Sequence, residues 1–193
     1  MKKVLAIMGS PRTMKNTDYL LDYVLSIMES NHINIKKVNL KDLKISPCTA
    51  CGYCETKGSC IIEDDMISLY DDFNNSDVII VASPLYFNSV SSLTKIMIDR
   101  CQVFWSSKYI LKESSIDRSK SRIGMFISVG GAPYRKDQFL GSTMVMDLFF
   151  KAINTDYKYN FLLSNTDKIW VGKRQEQLSY LKDMTKEMLK AID

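Results

Sequence analysis

Apolar and polar positions fall into blocks along the chain, and the period of the pattern changes from block to block. Lys3–Met8 (KVLAIM), Asp77–Ala82 (DVIIVA) and Arg122–Val129 (RIGMFISV) are nearly continuous apolar runs of strand length. That is the pattern of strands covered on both faces in a parallel sheet. Asn34–Leu40 alternates in part, and Tyr157–Leu163 supplies a fifth strand-like segment. The blocks between them carry a helical period. Asn16–Ser30 places Leu20, Val24, Ile27 and Met28 on one face, and Gln175–Ile192 does the same with Leu178, Leu181, Met184, Met188 and Ile192. Helices are also predicted over Asp65–Asn74, Val90–Phe104 and the strongly apolar Gln138–Ile153, with the polar stretch Ser106–Ser121 as a surface connection. Five strands alternating with helices predict an open, parallel, doubly wound α/β sheet. No internal repeat, low-complexity segment or linker interrupts the pattern, so one domain over residues 1–193 is expected.

Such sheets bind ligands beyond the carboxyl ends of their strands, at the switch in strand order. Those ends read Gly9-Ser10-Pro11-Arg12, Ser83-Pro84-Leu85-Tyr86-Phe87-Asn88 and Ser128-Val129-Gly130-Gly131, rich in glycine, proline, hydroxyl and aromatic residues. The first runs on as GSPRTMKNT into a helix start near Asn16. Free N–H groups there, with the helix dipole, attract an anion. Ser10, Asn16 and Thr17 add side-chain donors, and Arg12 adds a full positive charge suited to phosphate. The loop is neither GxxxxGK[ST] nor GxGxxG. Capping by Asn16 or Thr17 would account for one polar residue but not for the cluster of four.

Composition then narrows the chemistry. Four of the five cysteines, Cys48, Cys51, Cys54 and Cys60, stand within the loop 46–62 in the spacing C-x2-C-x2-C-x5-C. Three readings of this loop compete: a four-iron cluster, structural zinc, and thiols that are reduced, paired or redox-active without metal. The C-x2-C-x2-C repeat is ferredoxin-like, although the fourth cysteine comes late and no proline follows it, whereas zinc sites more often pair two knuckles across a longer span. Gly52 and Gly58 let the backbone curl. In Glu63-Asp64-Asp65-Met66, Asp64 or Asp65 is expected to cap the next helix. His32 is expected to be exposed and without a role, Cys101 to be a buried small apolar residue, and the Met-rich Thr143–Phe150 to be core or subunit interface. The net charge, 26 − 22 = +4, is mild and spread along the chain, so neither nucleic acid nor a membrane is an expected partner. The first apolar run is too short for a signal segment. A cytoplasmic location is expected, where thiols stay reduced.

GSPRxxxNT after the first strand, SPLYFNSVSSLTKIMIDR after the third, and the cysteine loop running into GxCxxxDDM resemble the flavodoxin-like NAD(P)H-dependent FMN reductases. The full cysteine quartet resembles the iron–sulfur flavoprotein branch. The motifs cover about residues 1–135, and Lys15 departs from the glycine many relatives carry. The resemblance implies a three-layer α/β/α sandwich with a five-stranded parallel sheet in the order 2-1-3-4-5. It implies FMN phosphate on Ser10, Arg12, Asn16 and Thr17, and the isoalloxazine ring against Pro84, Leu85, Tyr86, Phe87 and Asn88. Backbone amides of that segment would face the ring, with Ser128, Gly130 and Gly131 flanking its pyrimidine side. For Tyr86 and Phe87, plain packing is the competing reading.

The expected function is an FMN-dependent oxidoreductase. It would accept hydride from NAD(P)H, or electrons from a carrier such as ferredoxin, and pass them to a small acceptor or to a [4Fe-4S] cluster on Cys48, Cys51, Cys54 and Cys60. The flavin carries the chemistry, and no catalytic acid, base or nucleophile is required. Two other classes stay open. One is a non-enzymatic flavin or iron–sulfur electron carrier, against which the positive net charge weighs. The other is a thiol or metal redox sensor without flavin. A homodimer or homotetramer is expected, with Phe104, Trp105, Phe149 and Phe150 as candidate contact residues.

Overall fold

A computed structural model describes residues 1–29 and 32–192. Its five strands are β1 (Lys2–Met8), β2 (Ile33–Asn39), β3 (Val78–Pro84), β4 (Ile123–Val129) and β5 (Asp156–Leu163). All pair in parallel in the order β2-β1-β3-β4-β5, the predicted arrangement. The helices are α1 (Asn16–Met28), α2 (Tyr53–Lys57), α3 (Met66–Asn75), α4 (Ser92–Arg100), α5 (Gln102–Tyr109), α6 (Leu140–Ala152) and α7 (Gln175–Lys190). The predicted end of the first helix at Ser30 lies outside the described residues.

Side chains alternate across a strand, so each central strand feeds two cores. Val4, Ala6 and Met8 of β1, Val78, Ile80 and Ala82 of β3, and Ile123, Met125 and Ile127 of β4 pack beneath α1 and α7. Leu5, Ile7, Ile79, Val81 and Phe126 pack on the opposite face with α3, α4, α5 and α6. β2 is an edge strand and buries only Val38, which is why its sequence alternated where the centre did not.

Three expectations change. The single helix Val90–Phe104 is two helices with a break at Cys101, and the second runs on to Tyr109. Apolar spacing continues across the break, so periodicity alone does not reveal it. Ser106–Ser121 is accordingly not all surface. Ser106, Ser107 and Ile116 are buried, and the Ser107 hydroxyl donates to Phe104 O at 3.0 Å and receives Ser115 N–H at 3.0 Å. Phe104, Phe149 and Phe150 are core residues rather than surface; the exposed apolar side chains in this region include Trp105, Tyr109, Ile110, Leu140, Met144 and Leu148. Cys101 is buried as expected, and burial pushes its thiol pKa up. His32 is exposed, and its carbonyl receives Lys2 N–H.

Candidate functional site

The carboxyl ends of β1, β3 and β4 build one rim. Gly9 follows β1, and a Cβ there would stand 2.0 Å from Thr94 Oγ1 and 3.1 Å from Ala82 O, so only glycine permits this approach. Gly9 N–H donates to Ala82 O at 2.7 Å, and the Ser91 hydroxyl donates to Gly9 O at 2.5 Å. Ser91 Oγ also receives Thr94 N–H at 3.2 Å as the cap of α4, while Ser91 N–H donates to Ser83 Oγ at 2.9 Å. Ser83, Ser91 and Thr94 thus form a buried knot that fixes the β1 turn. Ser91 carries the sequence signal of a cap, a serine just before a helical run.

The predicted phosphate residues come together here in different roles. Ser10 is buried, and its hydroxyl exchanges bonds with the Arg12 backbone, receiving N–H and donating to O, both at 3.1 Å. Arg12 is exposed. Neither Asn16 nor Thr17 caps α1: Lys15 holds the cap position in an extended conformation without a side-chain bond. The Asn16 amide is drawn away to Thr166 O at 3.2 Å, and its Oδ1 receives Val171 N–H at 3.3 Å. Thr17 is buried. α1 therefore presents an N-terminus without a side-chain cap, the arrangement that attracts an anion. Asp18, unremarked in the sequence, receives Met14 N–H at 2.7 Å and Lys37 Nζ at 2.6 Å. Burial disfavours its charged form, but these bonds outweigh burial and hold the carboxyl below its ordinary range.

Beyond β3, Tyr86 and Ser89 exchange backbone bonds at 2.9 Å each way. Phe87 (φ 49°) and Asn88 (φ 57°) sit in the left-handed region between them, the signature of a type I′ turn. A phenylalanine there is strained, and its ring is fully exposed. Leu85 N–H donates to Val129 O at 2.8 Å. With Leu85 and Tyr86 amides engaged internally, the amides able to meet a ligand in this turn are those of Phe87 and Asn88. Gly130 is buried and Gly131 partly exposed. Their carbonyls receive Thr166 and Asp167 N–H at 3.1 Å, tying this loop to the one after β5. Ser128 is wholly buried with its hydroxyl unpartnered, so it backs the rim rather than lining it.

The cysteine loop is a second site. Cys48, Cys51, Cys54 and Cys60 are free thiols that line one cavity of about 880 Å³, together with Cys101, Trp105, Tyr109 and Leu148. None of the strand-end residues lines this cavity. Gly52 (φ 73°) and Gly58 (φ 67°) bracket the short α2 in left-handed conformations. The x2 spacing therefore crosses from loop to helix: Cys48 and Cys51 stay exposed before α2, and Cys54, within α2, lies 3.5 Å from Ser106 Oγ. Among the described residues no three His, Cys, Asp or Glu side chains gather closely enough to hold a metal ion. The four thiols are thus not drawn into a coordination shell, while the donor chemistry, four free thiols lining one cavity, suits a soft metal centre. Asp65 holds the cap position of α3 without a side-chain cap bond, its carboxylate receiving Lys44 N–H instead, while Asp64 receives Met66 N–H at 3.0 Å, Ser46 N–H at 2.8 Å and Arg100 Nη1 at 2.6 Å. Burial works against its charge, yet these bonds keep its carboxyl below the ordinary range.

Residues 2–144 match the family model described as NADPH-dependent FMN reductase. The chain belongs to the NADPH-dependent FMN reductase family. Within that family it is similar to proteins named iron–sulfur flavoprotein. One from Archaeoglobus fulgidus is 34% identical over 128 residues, covering 66% of this chain and 62% of that protein. Another from the same organism is 40% identical over 98 residues, covering 51% and 44%, and one from Methanosarcina thermophila is 29% identical over 130, covering 67% and 64%. The chain thus spans less than two thirds of the length of these relatives. Its fold is that of an FMN-dependent NADH-azoreductase from Bacillus anthracis solved with FMN, at TM-score 0.75 and 16% identity over 97% of this chain and 99% of that one. An NADH:FMN oxidoreductase in its apo form superposes at TM-score 0.62 and 17% identity, over 96% and 88%. Among the described residues no helix is long and apolar enough to cross a membrane.

Proposed function

We propose that this FMN reductase family member is an oxidoreductase that takes electrons from NAD(P)H or a protein carrier onto FMN at the strand-end rim. It hands them on to a small acceptor or to a [4Fe-4S] cluster held by Cys48, Cys51, Cys54 and Cys60. The observation that carries the reading is four free thiols lining one cavity in a chain of the FMN reductase family. When bound, flavin exchanges electrons in pairs or singly and an iron–sulfur cluster exchanges them singly.

The chain's own residues bind and orient. The α1 N-terminus, with Arg12 and the Ser10 turn, would hold the phosphate. Pro84 fixes the approach to the Phe87–Asn88 turn, whose amides and aromatic surface would meet the flavin ring. Gly130 and Gly131, pinned by Thr166 and Asp167, would close the opposite side. No side chain is assigned a proton-transfer role.

The reading extends to assembly. The exposed Leu140, Met144 and Leu148 recur at helical spacing, and Leu148 lines the same cavity as the exposed Trp105 and Tyr109, which supports a homodimer or homotetramer. Because the cysteine cavity and the strand ends share no lining residue, a second subunit is a route by which thiols could approach a flavin. Light scattering that returns a monomer mass would overturn this assembly.

The test of the function is an anaerobic absorption spectrum with iron, zinc and sulfide assays on the same sample. Flavin bands with about four irons and four sulfides per chain are expected. Flavin without iron would leave an FMN reductase with a thiol loop, and no flavin after added FMN would overturn the reading.

A further inference from the structure

Two arginines rank as the largest wholly buried side chains of the fold, and they are used differently. Arg122 is a strap: its nitrogens donate to Phe73 O, Asp117 O and Asn74 O, at 3.2, 2.7 and 2.7 Å. Arg100, at the end of α4, reaches into the cysteine loop. Its Nη1 donates to Ser46 O at 2.9 Å and to Asp64 Oδ2 at 2.6 Å, and its Nη2 donates to Ile62 O at 3.1 Å. Its Nε has no partner. Arg100 and Cys60 both belong to the cavity lining, whereas Asp64 does not, and the Arg100 side chain itself is fully enclosed.

We propose that Arg100, seated by Asp64, is the positioning residue of the cysteine loop: it joins the loop's entry at Ser46 to its exit at Ile62 in the absence of metal, and keeps a buried positive charge behind the cavity that the thiols line. The first half stands on the hydrogen bonds alone; the second rests on the iron–sulfur reading. Ser46 and Ile62 stand two residues outside Cys48 and Cys60. A segment tied at both ends has already lost much of the freedom that ligand binding would otherwise have to remove. Three acceptors on one planar fork suit arginine and not lysine. A buried cation next to a thiolate-held centre stabilises its more negative, reduced state. The proximal charge is therefore expected to raise the reduction potential of whatever the thiols hold.

The experiment compares wild type with Arg100→Met, Arg100→Lys and Asp64→Asn, first as reduced, metal-free protein. Hydrogen exchange is read over residues 44–65, and FMN titration checks the fold. Exchange in the loop is expected to rise roughly tenfold or more in both Arg100 variants and less in Asp64→Asn, with FMN affinity held within about twofold. If Arg100→Met does not take up FMN, Arg100→Lys and Asp64→Asn carry the comparison. After anaerobic addition of iron and sulfide, the midpoint potential of Arg100→Met is expected to fall below wild type, while Arg100→Lys, which keeps the charge, stays near it. Unchanged loop exchange in the arginine variants overturns the positioning role, and an unchanged potential overturns the charge role. Wild type that takes up no iron would defeat the iron–sulfur reading, and the exchange result would still decide the role of Arg100.

Discussion

The strand-end rim and the cysteine loop solve the same problem, holding a ligand-facing loop in place, by opposite means. The rim is held chiefly by backbone, with the buried Ser83, Ser91 and Thr94 side chains fixing the β1 turn. Gly9 leans on Ala82, Leu85 on Val129, and Gly130 on Leu163, each bond continuing a pairing that the parallel sheet has begun. The cysteine loop has no sheet to extend. It is closed by side chains from elsewhere, with Lys44 N–H and Ser46 N–H received by Asp65 and Asp64 and the Arg100 fork crossing beneath. A site at the end of a strand inherits the rigidity of the core, whereas a site inside a crossover must bring its own anchors. Substitutions should therefore harm the fold at the rim and spare it at the thiols.

The strongest break of this contrast is Gly9→Val, which drives a side chain into Thr94 and the Ala82 carbonyl. It is expected to cost about 1–3 kcal/mol or more and to abolish FMN binding, read by denaturant unfolding and flavin titration. Next is Asp18→Asn. Removing a charged acceptor from Lys37 and Met14 costs about 1–2 kcal/mol, since Lys37 keeps Asp22 at 2.5 Å. The folded Asp18 carboxyl lies below its ordinary 3.8, so its contribution is complete above that pH and disappears as pH falls through the folded value. The stability gap between wild type and variant should be full near neutrality and close in acid.

Phe87→Gly sharpens the comparison in the other direction. Relief of the left-handed strain is expected to raise stability by up to about 1 kcal/mol while weakening FMN binding. Higher melting temperature with unchanged flavin affinity would remove Phe87 from the flavin site. The smallest effect is expected for Cys48→Ser in metal-free protein, within about 0.5 kcal/mol of wild type because the residue is exposed. A large loss would show that the loop is part of the fold's core support.

Much of the fold was legible because its central strands are buried on both faces and its helices carry one apolar stripe. The break at Cys101 was not, since the apolar spacing of Val90–Phe104 continues through it. At the site, the strand ends could be read from Gly9, Pro84 and Gly130, but individual roles could not. Asn16 reads as a phosphate donor, yet its side chain is engaged as a strut to the loop after β5, and Ser128 reads as flanking a ligand, yet its hydroxyl is buried without a partner. The turn at Phe87-Asn88 lacks the Asn-Gly pair that usually announces it. Asp64 reads as a helix cap and Arg100 carries no signal of its own, because nothing local shows that residues 36 positions apart will meet in the interior.

The pairing of β1 with β3 joins Val4 to Val78, and the whole cysteine segment lies within the chain that this pairing closes. Closing a longer chain is only weakly more costly, about 0.6 kcal/mol for each doubling, so the sheet is nearly indifferent to what the crossover contains. Residues 46–62 have the standing of a cassette. They could be shortened or exchanged with little penalty to the sheet, provided that Arg100, the socket left behind in the apolar wall, is replaced by a residue that asks for no partner.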